Sequence, residues 1–108
     1  MSTKNITIVI EDETGINHCY IAEIDSEYKC YAIITLDNYH KNVTFIYDSK
    51  SFKLSDVEPC SIDSNTAYIY KKYVKTIRID DVFVKMYITF SRCPHDGNDT
   101  FIIKTCGK

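Results

Sequence analysis

The chain has 108 residues, with 13 lysines and arginines against 15 aspartates and glutamates, so its formal net charge is −2. This length predicts one domain over residues 1–108, and the near-neutral charge without a basic block argues against nucleic acid as a partner. Apolar runs are short and the first residues do not resemble a secretory signal, so we expect a soluble, intracellular protein with no membrane contact.

Alternation of apolar and polar residues predicts seven strands along the chain. In order they are residues 6–10, 19–24, 30–36, 43–47, 67–79, 82–90 and 100–106. Residues 49–66 lose the alternation and are predicted to form a long loop with one short helical turn around residues 51–57. We therefore predict an all-β fold, an antiparallel β-sandwich of about seven strands with at most one short helical turn.

One large ring falls on the unexpected side of a predicted hairpin. The segment IRIDDVFVKMYITF, residues 77–90, alternates on both sides of the Asp80 and Asp81 pair. The residues predicted to share the core face are Val82, Val84, Met86, Ile88 and Phe90. Phe83 lies on the opposite, wetter face, beside the turn.

The five cysteines form an odd and irregularly spaced set, Cys19, Cys30, Cys60, Cys93 and Cys106. Without a secretory signal we expect free thiols, mostly buried on strands. Cys93 and His95, with Cys106 on the adjoining strand, supply three possible zinc ligands but no Cys-x-x-Cys pair. We interpret that cluster as fortuitous and expect no metal and no other cofactor.

No residue pattern indicates catalysis. The histidines, His18, His40 and His95, fall near predicted strand ends, where a structural or surface role is the more common one. The acids are scattered, and adjacent Asp80 and Asp81 suit a turn better than shared acid and base work. A cysteine enzyme that pairs Cys106 or Cys93 with His95 remains the weakest alternative.

The aromatic residues point to a contact surface. Nine tyrosines and five phenylalanines exceed what seven short strands can hide. Exposed rings mark contact surfaces, and a sandwich gathers its loops at its two ends. Tyr28, Tyr39, Phe52 and Phe83 are predicted at or near strand ends, and each could instead fold back over the core.

The order of three segments resembles a viral family. EYKCYAIITLDNYHKNVTF, LSDV and IRIDDVFVKMYI follow one another as in the poxvirus host-range proteins of the vaccinia type. The family's Tyr-x-Cys matches Tyr28 and Cys30, and its Asp-Asp-x-Phe turn matches Asp80, Asp81 and Phe83. The similarity runs from about residue 5 to residue 104.

Other family positions match less closely. An Asp-Tyr-x-Lys-like turn corresponds to Asn38, Tyr39 and Lys41. Ile24 occupies the position of a family lysine, which leaves Lys29 as the nearest base. Phe52 lies one residue from the position of a family tryptophan.

The resemblance implies a β-sandwich without enzymatic activity that acts in the host cytoplasm. Such a protein binds and neutralises an interferon-induced host restriction factor, above all sterile alpha motif domain-containing protein nine. It uses loops at one end of the sandwich, and Phe83 would enter a pocket on the partner. The partner-binding residues implied here are Phe83, Asp81, Asp80, Tyr28, Lys29 and Phe52.

A second function remains open. A viral structural or assembly protein could use the same aromatic surface for self-association. The mass of the protein in solution distinguishes the two functions. We expect a binding module to be a monomer when alone, whereas an assembly protein associates as its concentration rises.

Overall fold

The computed structural model describes residues 3–64 and 68–107, which form nine strands and one 3-10 turn. The strands are β1 (Lys4–Glu11), β2 (Asn17–Ile24), β3 (Cys30–Asp37), β4 (Thr44–Tyr47), β5 (Lys50–Lys53), β6 (Ser61–Ser64), β7 (Ile69–Ile79), β8 (Val82–Cys93) and β9 (Asn98–Cys106). Alternating burial along β3 and β8 follows the two-residue period that the sequence shows. The prediction of an all-β antiparallel sandwich is confirmed.

The strands form two antiparallel sheets. Sheet A has the order β2-β1-β4-β5, and sheet B has the order β3-β9-β8-β7-β6. Strands β2 and β3, which are consecutive in the chain and belong to different sheets, contact each other along one side of the sandwich. Strands β5 and β6 are the edges on the other side.

The predicted loop over residues 49–66 is wrong in part, because it contains β5 and β6. Each of these strands has four residues with a single apolar side chain, which cannot show an alternation, and every residue of β6 is exposed. The short helical turn expected around residues 51–57 is confirmed as the 3-10 turn Leu54–Asp56. The expected start of the next strand at residue 67 lies outside the described residues.

A core of aliphatic and aromatic side chains fills the space between the sheets. Its largest fully buried side chains are Phe45, Phe101, Ile8, Ile10, Ile24, Leu36, Ile79, Met86, Ile88, Ile103 and Val84. Val84, Met86 and Ile88 are buried as predicted, and Val82 and Phe90 pack partly buried against them. None of the described segments is a helix that is long and apolar enough to cross a membrane.

The cysteines are free thiols, but most of them are not buried as predicted. Cys30 is the one buried thiol, and Cys93 is half-buried. Cys19 and Cys106 fall on outward-facing strand positions, and Cys60 precedes β6. The prediction failed because an apolar residue type was taken as a sign of burial.

We predict that Ile88→Ala lowers the free energy of unfolding by about 2 to 5 kcal/mol, since truncating a fully buried aliphatic side chain leaves a cavity. Its neighbour Thr89 points to the other face, so Thr89→Ala serves as the control and should cost far less. Denaturant melts of both variants measure the difference. Equal stability of the two variants would contradict the register of β8.

We also predict an order of thiol reactivity. Cys19, Cys60 and Cys106 are exposed and should be alkylated first, whereas burial shields Cys30 and raises the pKa of its thiol. Timed alkylation of the native protein, followed by mass spectrometry, measures the order. Rapid labelling of Cys30 would contradict its placement.

Candidate protein-binding surface

Asp80 and Asp81 form the two-residue turn between β7 and β8, as the sequence predicts. Ile79 and Val82 pair directly across the hairpin. Asp80 and Asp81 have positive φ angles of 50° and 63°. This mirror-image turn matches the twist of antiparallel strands, and aspartate tolerates the left-handed region better than most residues. The Asp81 carboxylate lies 3.2 Å from the Arg78 guanidinium.

The other turn aspartate connects the two sheets. The Lys4 ammonium, at the start of β1 in sheet A, forms an ion pair with the Asp80 carboxylate. Lys50, at the start of β5, donates a hydrogen bond of 3.3 Å to the backbone carbonyl of Arg78. The turn is therefore held from both sheets at this end of the sandwich.

Phe83 projects from the outer face of sheet B. It is 68% exposed, more than any other large hydrophobic residue in the described part of the chain. The guanidinium carbon of Arg78, its partner across the hairpin, lies 5.5 Å from the ring centroid, within cation–π range. The ring is thus not a lid on the core, and it contacts the guanidinium of Arg78 instead.

A shallow groove of about 360 Å³ begins beside the Phe83 ring. It is lined by Thr76, Phe83, Val84, Lys85, Tyr87 and Cys106. Because Cys106 pairs with Lys85, the groove crosses β7, β8 and β9 on their outer face. An aromatic ring at the rim of a groove is a suitable anchor for a protein partner.

The outer face of sheet B around this groove is both aromatic and basic. The exposed apolar residues there are Tyr31, Ile33, Tyr70, Val74, Phe83 and Tyr87. Lys72, Arg78, Lys85 and Lys104 share this face by register, and the Lys104 ammonium lies 5.4 Å from the Tyr31 ring centroid. Asp37 and Asp63 are the strand acids of the described residues on that face, against these four basic residues. The face is thus positive although the chain is slightly negative.

The loop between β2 and β3 lies at the same end of the sandwich. Its Asp25 carboxylate accepts hydrogen bonds from the backbone N–H groups of Glu27 and Lys29, at 2.9 and 3.0 Å. The Lys29 side chain is exposed and lies 3.5 Å from the Glu27 carboxylate. Lys29 is therefore accessible, but β9 lies between β3, which follows Lys29, and β8, which carries Phe83.

Tyr28, in the same loop, packs against the core and the end of β9. It has a positive φ of 61° and packs half-buried against the core. The Thr105 hydroxyl donates a hydrogen bond of 2.7 Å to the Tyr28 carbonyl. Gly107 lies so close that a Cβ there would be 2.7 Å from the Tyr28 Cβ. Tyr28 thus connects the loop to the end of β9.

Phe52 is not a loop residue as predicted, because it lies in β5 and faces inward. Its ring stacks on Phe45 with the centroids 5.5 Å apart, and the Lys75 ammonium lies 5.4 Å from its centroid. The sequence alone does not show that Phe45 lies next to Phe52, because that contact depends on the pairing of β4 with β5. Phe52 supports the core, away from the outer face that carries Phe83.

Tyr39 lies at the opposite end of the sandwich from Phe83. Its hydroxyl donates a hydrogen bond of 3.1 Å to the Cys93 carbonyl, and its ring centroid is 4.4 Å from the Arg92 guanidinium carbon. Of the four aromatic residues predicted near strand ends, Phe83 and Tyr28 therefore share one end. Only Phe83 presents its ring on an outer face.

A buried ion pair that the sequence analysis missed lies at the Tyr39 end. Asp99 is fully buried and accepts hydrogen bonds from the Arg92 guanidinium at 2.7 and 2.8 Å. It also accepts one from the backbone N–H of His40 at 2.8 Å. The predicted strands end at residue 90 and begin again at residue 100, whereas β8 and β9 extend into the segment between them and pair Arg92 with Asp99.

Two histidines near that ion pair contact carboxylates. His18 Nε2 lies 3.0 Å from the Asp12 carboxylate, and His40 Nδ1 lies 3.2 Å from the Glu13 carboxylate. Hydrogen bonds from the Thr14 hydroxyl and from His18 hold the pKa of Asp12 well below its usual range. These contacts fix the β1–β2 turn.

Of the three residues weighed for zinc or thiol chemistry, Cys106 lies far from Cys93 and His95. Cys93 pairs with Asn98 and Cys106 with Lys85, at opposite ends of the β8–β9 ladder. At ~3.3 Å per residue that separation is roughly 26 Å. His95 lines a polar cleft with Cys93. Among the described residues no group of three or more potential ligands could hold a metal ion.

No protein-family model matches this chain, and no curated protein or solved structure shows significant similarity to it. The resemblance to the host-range family therefore stays a prediction.

We predict that Asp12 contributes to acid stability. Because its folded-state pKa is lowered, its carboxylate stabilises the fold above the unfolded-state pKa of about 3.9, and this contribution is lost as the pH falls. Asp12→Asn should lower the thermal midpoint at neutral pH and flatten its decline between about pH 5 and pH 2. The control is Asp56→Asn at an exposed acid. Parallel pH profiles for Asp12→Asn and the wild type would contradict the role of Asp12.

Proposed function

We propose that this chain is a non-enzymatic protein-binding module that holds a host protein on the outer face of sheet B, around Phe83. The first candidate partner is the interferon-induced restriction factor that the resemblance implies, sterile alpha motif domain-containing protein nine, in the cytoplasm of an infected cell. The observation that carries the proposal is the 68% exposure of Phe83 at the rim of a groove.

The local structure of Phe83 supports a role as an anchor. A phenylalanine buried at the centre of an interface removes a large apolar area from water. The Asp80–Asp81 turn and the contact with Arg78 restrict the ring before any partner binds. Such preorganisation reduces the entropy lost on binding.

The charge of the same face supports an acidic partner. Lys72, Lys85 and Lys104 lie among the exposed aromatic residues, so an acidic surface would pair with them while it covers the rings. A symmetric contact between two copies of this face would instead bring lysines toward lysines. This argument favours a different protein over self-association, the second function considered.

We predict that Phe83→Ala reduces partner affinity by at least about thirtyfold, which corresponds to ~2 kcal/mol for a hot-spot ring. Folding should change little because the ring is exposed. Ile21→Ala is a matched control, since Ile21 is 66% exposed on the outer face of sheet A. Both variants are compared by thermal melting and by capture of the restriction factor from interferon-treated cells, followed by titration with the purified factor.

Loss of stability with unchanged affinity in Phe83→Ala would contradict the contact site. Failure of the wild-type chain to capture the restriction factor would contradict that partner. Mass measured over a concentration series tests the second function, since a dimer that Phe83→Ala dissociates would favour self-association.

A further inference from the structure

Sheet B extends past the sheet that covers it. It has five strands against four in sheet A, and β6 lies at the uncovered edge. Ile62 of β6 pairs with Lys71, which pairs with Phe90 on the core-facing side of β8. Ile62 therefore faces inward, yet it is 60% exposed because sheet A does not reach it.

A cavity of about 470 Å³ occupies the space beside this overhang. We call it the intersheet cavity, and its apolar lining includes Val43, Leu54, Ile62, Tyr73, Phe90 and Phe101. Val43 and Leu54 contribute from the sheet A side, next to the 3-10 turn, and the other four residues belong to sheet B. The volume and the apolar lining are those of small-molecule sites in proteins.

The charged groups of the intersheet cavity are all basic. Lys41, Lys71 and Arg92 line it, and no described aspartate or glutamate does. Arg92 is neutralised by its hydrogen bonds to Asp99. Among the described residues neither Lys41 nor Lys71 forms an ion pair with a carboxylate, so their charges remain for an anion.

We propose that the intersheet cavity binds an amphiphile that carries an apolar chain and one anionic head group. The chain lies on the aliphatic and aromatic lining and covers Ile62, which the fold leaves exposed. The head group lies at Lys71 and Lys41, where an attraction between opposite charges adds to the burial of apolar surface. A carboxylate and a phosphate share this chemistry.

This site is independent of the proposed protein-binding surface. Lys71 faces the cavity on the inner side of β7, whereas Lys72 projects from the outer side. Ligand binding at the cavity is thus measurable whether or not Phe83 contacts a partner.

Three ligands of equal chain length test the head group. We expect dodecanoate to bind the native chain with 1:1 stoichiometry, and dodecan-1-ol to bind at least about tenfold more weakly because it lacks the charge. Dodecyl phosphate distinguishes a phosphate-bearing lipid from a free fatty acid as the source of the anion. Calorimetric titrations below micelle-forming concentrations measure the affinities, and amide chemical shifts locate the bound chain. Equal binding of the alcohol, or no binding of either anion, would overturn the proposal.

Two variants test the location, and each has a matched control. Lys71→Gln should weaken dodecanoate binding about tenfold, whereas Lys72→Gln should leave it unchanged. Ile62→Asp places a carboxylate at the exposed rim of the cavity and should abolish dodecanoate binding. Its control is Asp63→Asn, which changes the outer face and should leave dodecanoate binding unchanged. Thermal melts verify that each variant is folded, and Lys41→Gln replaces Lys71→Gln if that variant is not. Equal loss in Lys71→Gln and Lys72→Gln would place the ligand elsewhere and overturn the proposal. In that case Lys41 and Lys71 do not bind an anion. Their side chains only extend along the apolar edge at β6 and protect that edge from pairing with other chains.

Discussion

The register of the β7–β8 hairpin determines which side chains the molecule presents. Because side chains alternate between faces, a slip of one residue would bury Phe83 and Lys85 and expose Val84 and Met86. The two-residue turn opposes that slip, since Ile79 and Val82 pair directly on either side of it. Its two aspartates adopt a left-handed backbone, and ion pairs with Lys4 and Arg78 stabilise them there. The exposure of Phe83 is therefore a consequence of turn chemistry at neighbouring residues.

The central strands were predictable because their burial follows a period of two over many residues. β8 is the clearest case, since its alternation alone is enough to predict that Phe83 is exposed. The edge strands β5 and β6 were not predictable, because each carries a single apolar side chain and β6 buries no residue. The same reason explains the misplacement of Phe52, whose inward position depends on the pairing of β5 with β4.

Polar contacts between residues that are distant in the chain also could not be predicted from the sequence. The Arg92–Asp99 ion pair requires the register of β8 and β9, and its burial is tolerated because Asp99 accepts three hydrogen bonds. The exposure of the Cys106 thiol likewise depends on strand register. In the segment FIIKTC two adjacent isoleucines, Ile102 and Ile103, obscure the alternation, so the face that Cys106 occupies follows only from its pairing with Lys85.

The two proposed binding surfaces have different physical origins. Phe83 is exposed because of the register within sheet B, whereas Ile62 is exposed because sheet A has one strand fewer than sheet B. A single hydrophobic core cannot cover either residue without changing the turn in the first case or adding a strand in the second. Since the groove beside Phe83 and the intersheet cavity beside Ile62 share no lining residue, the effects of changing the two residues should add independently. A partner on the outer face and a ligand between the sheets could then be held at the same time, because the strands of sheet B separate them.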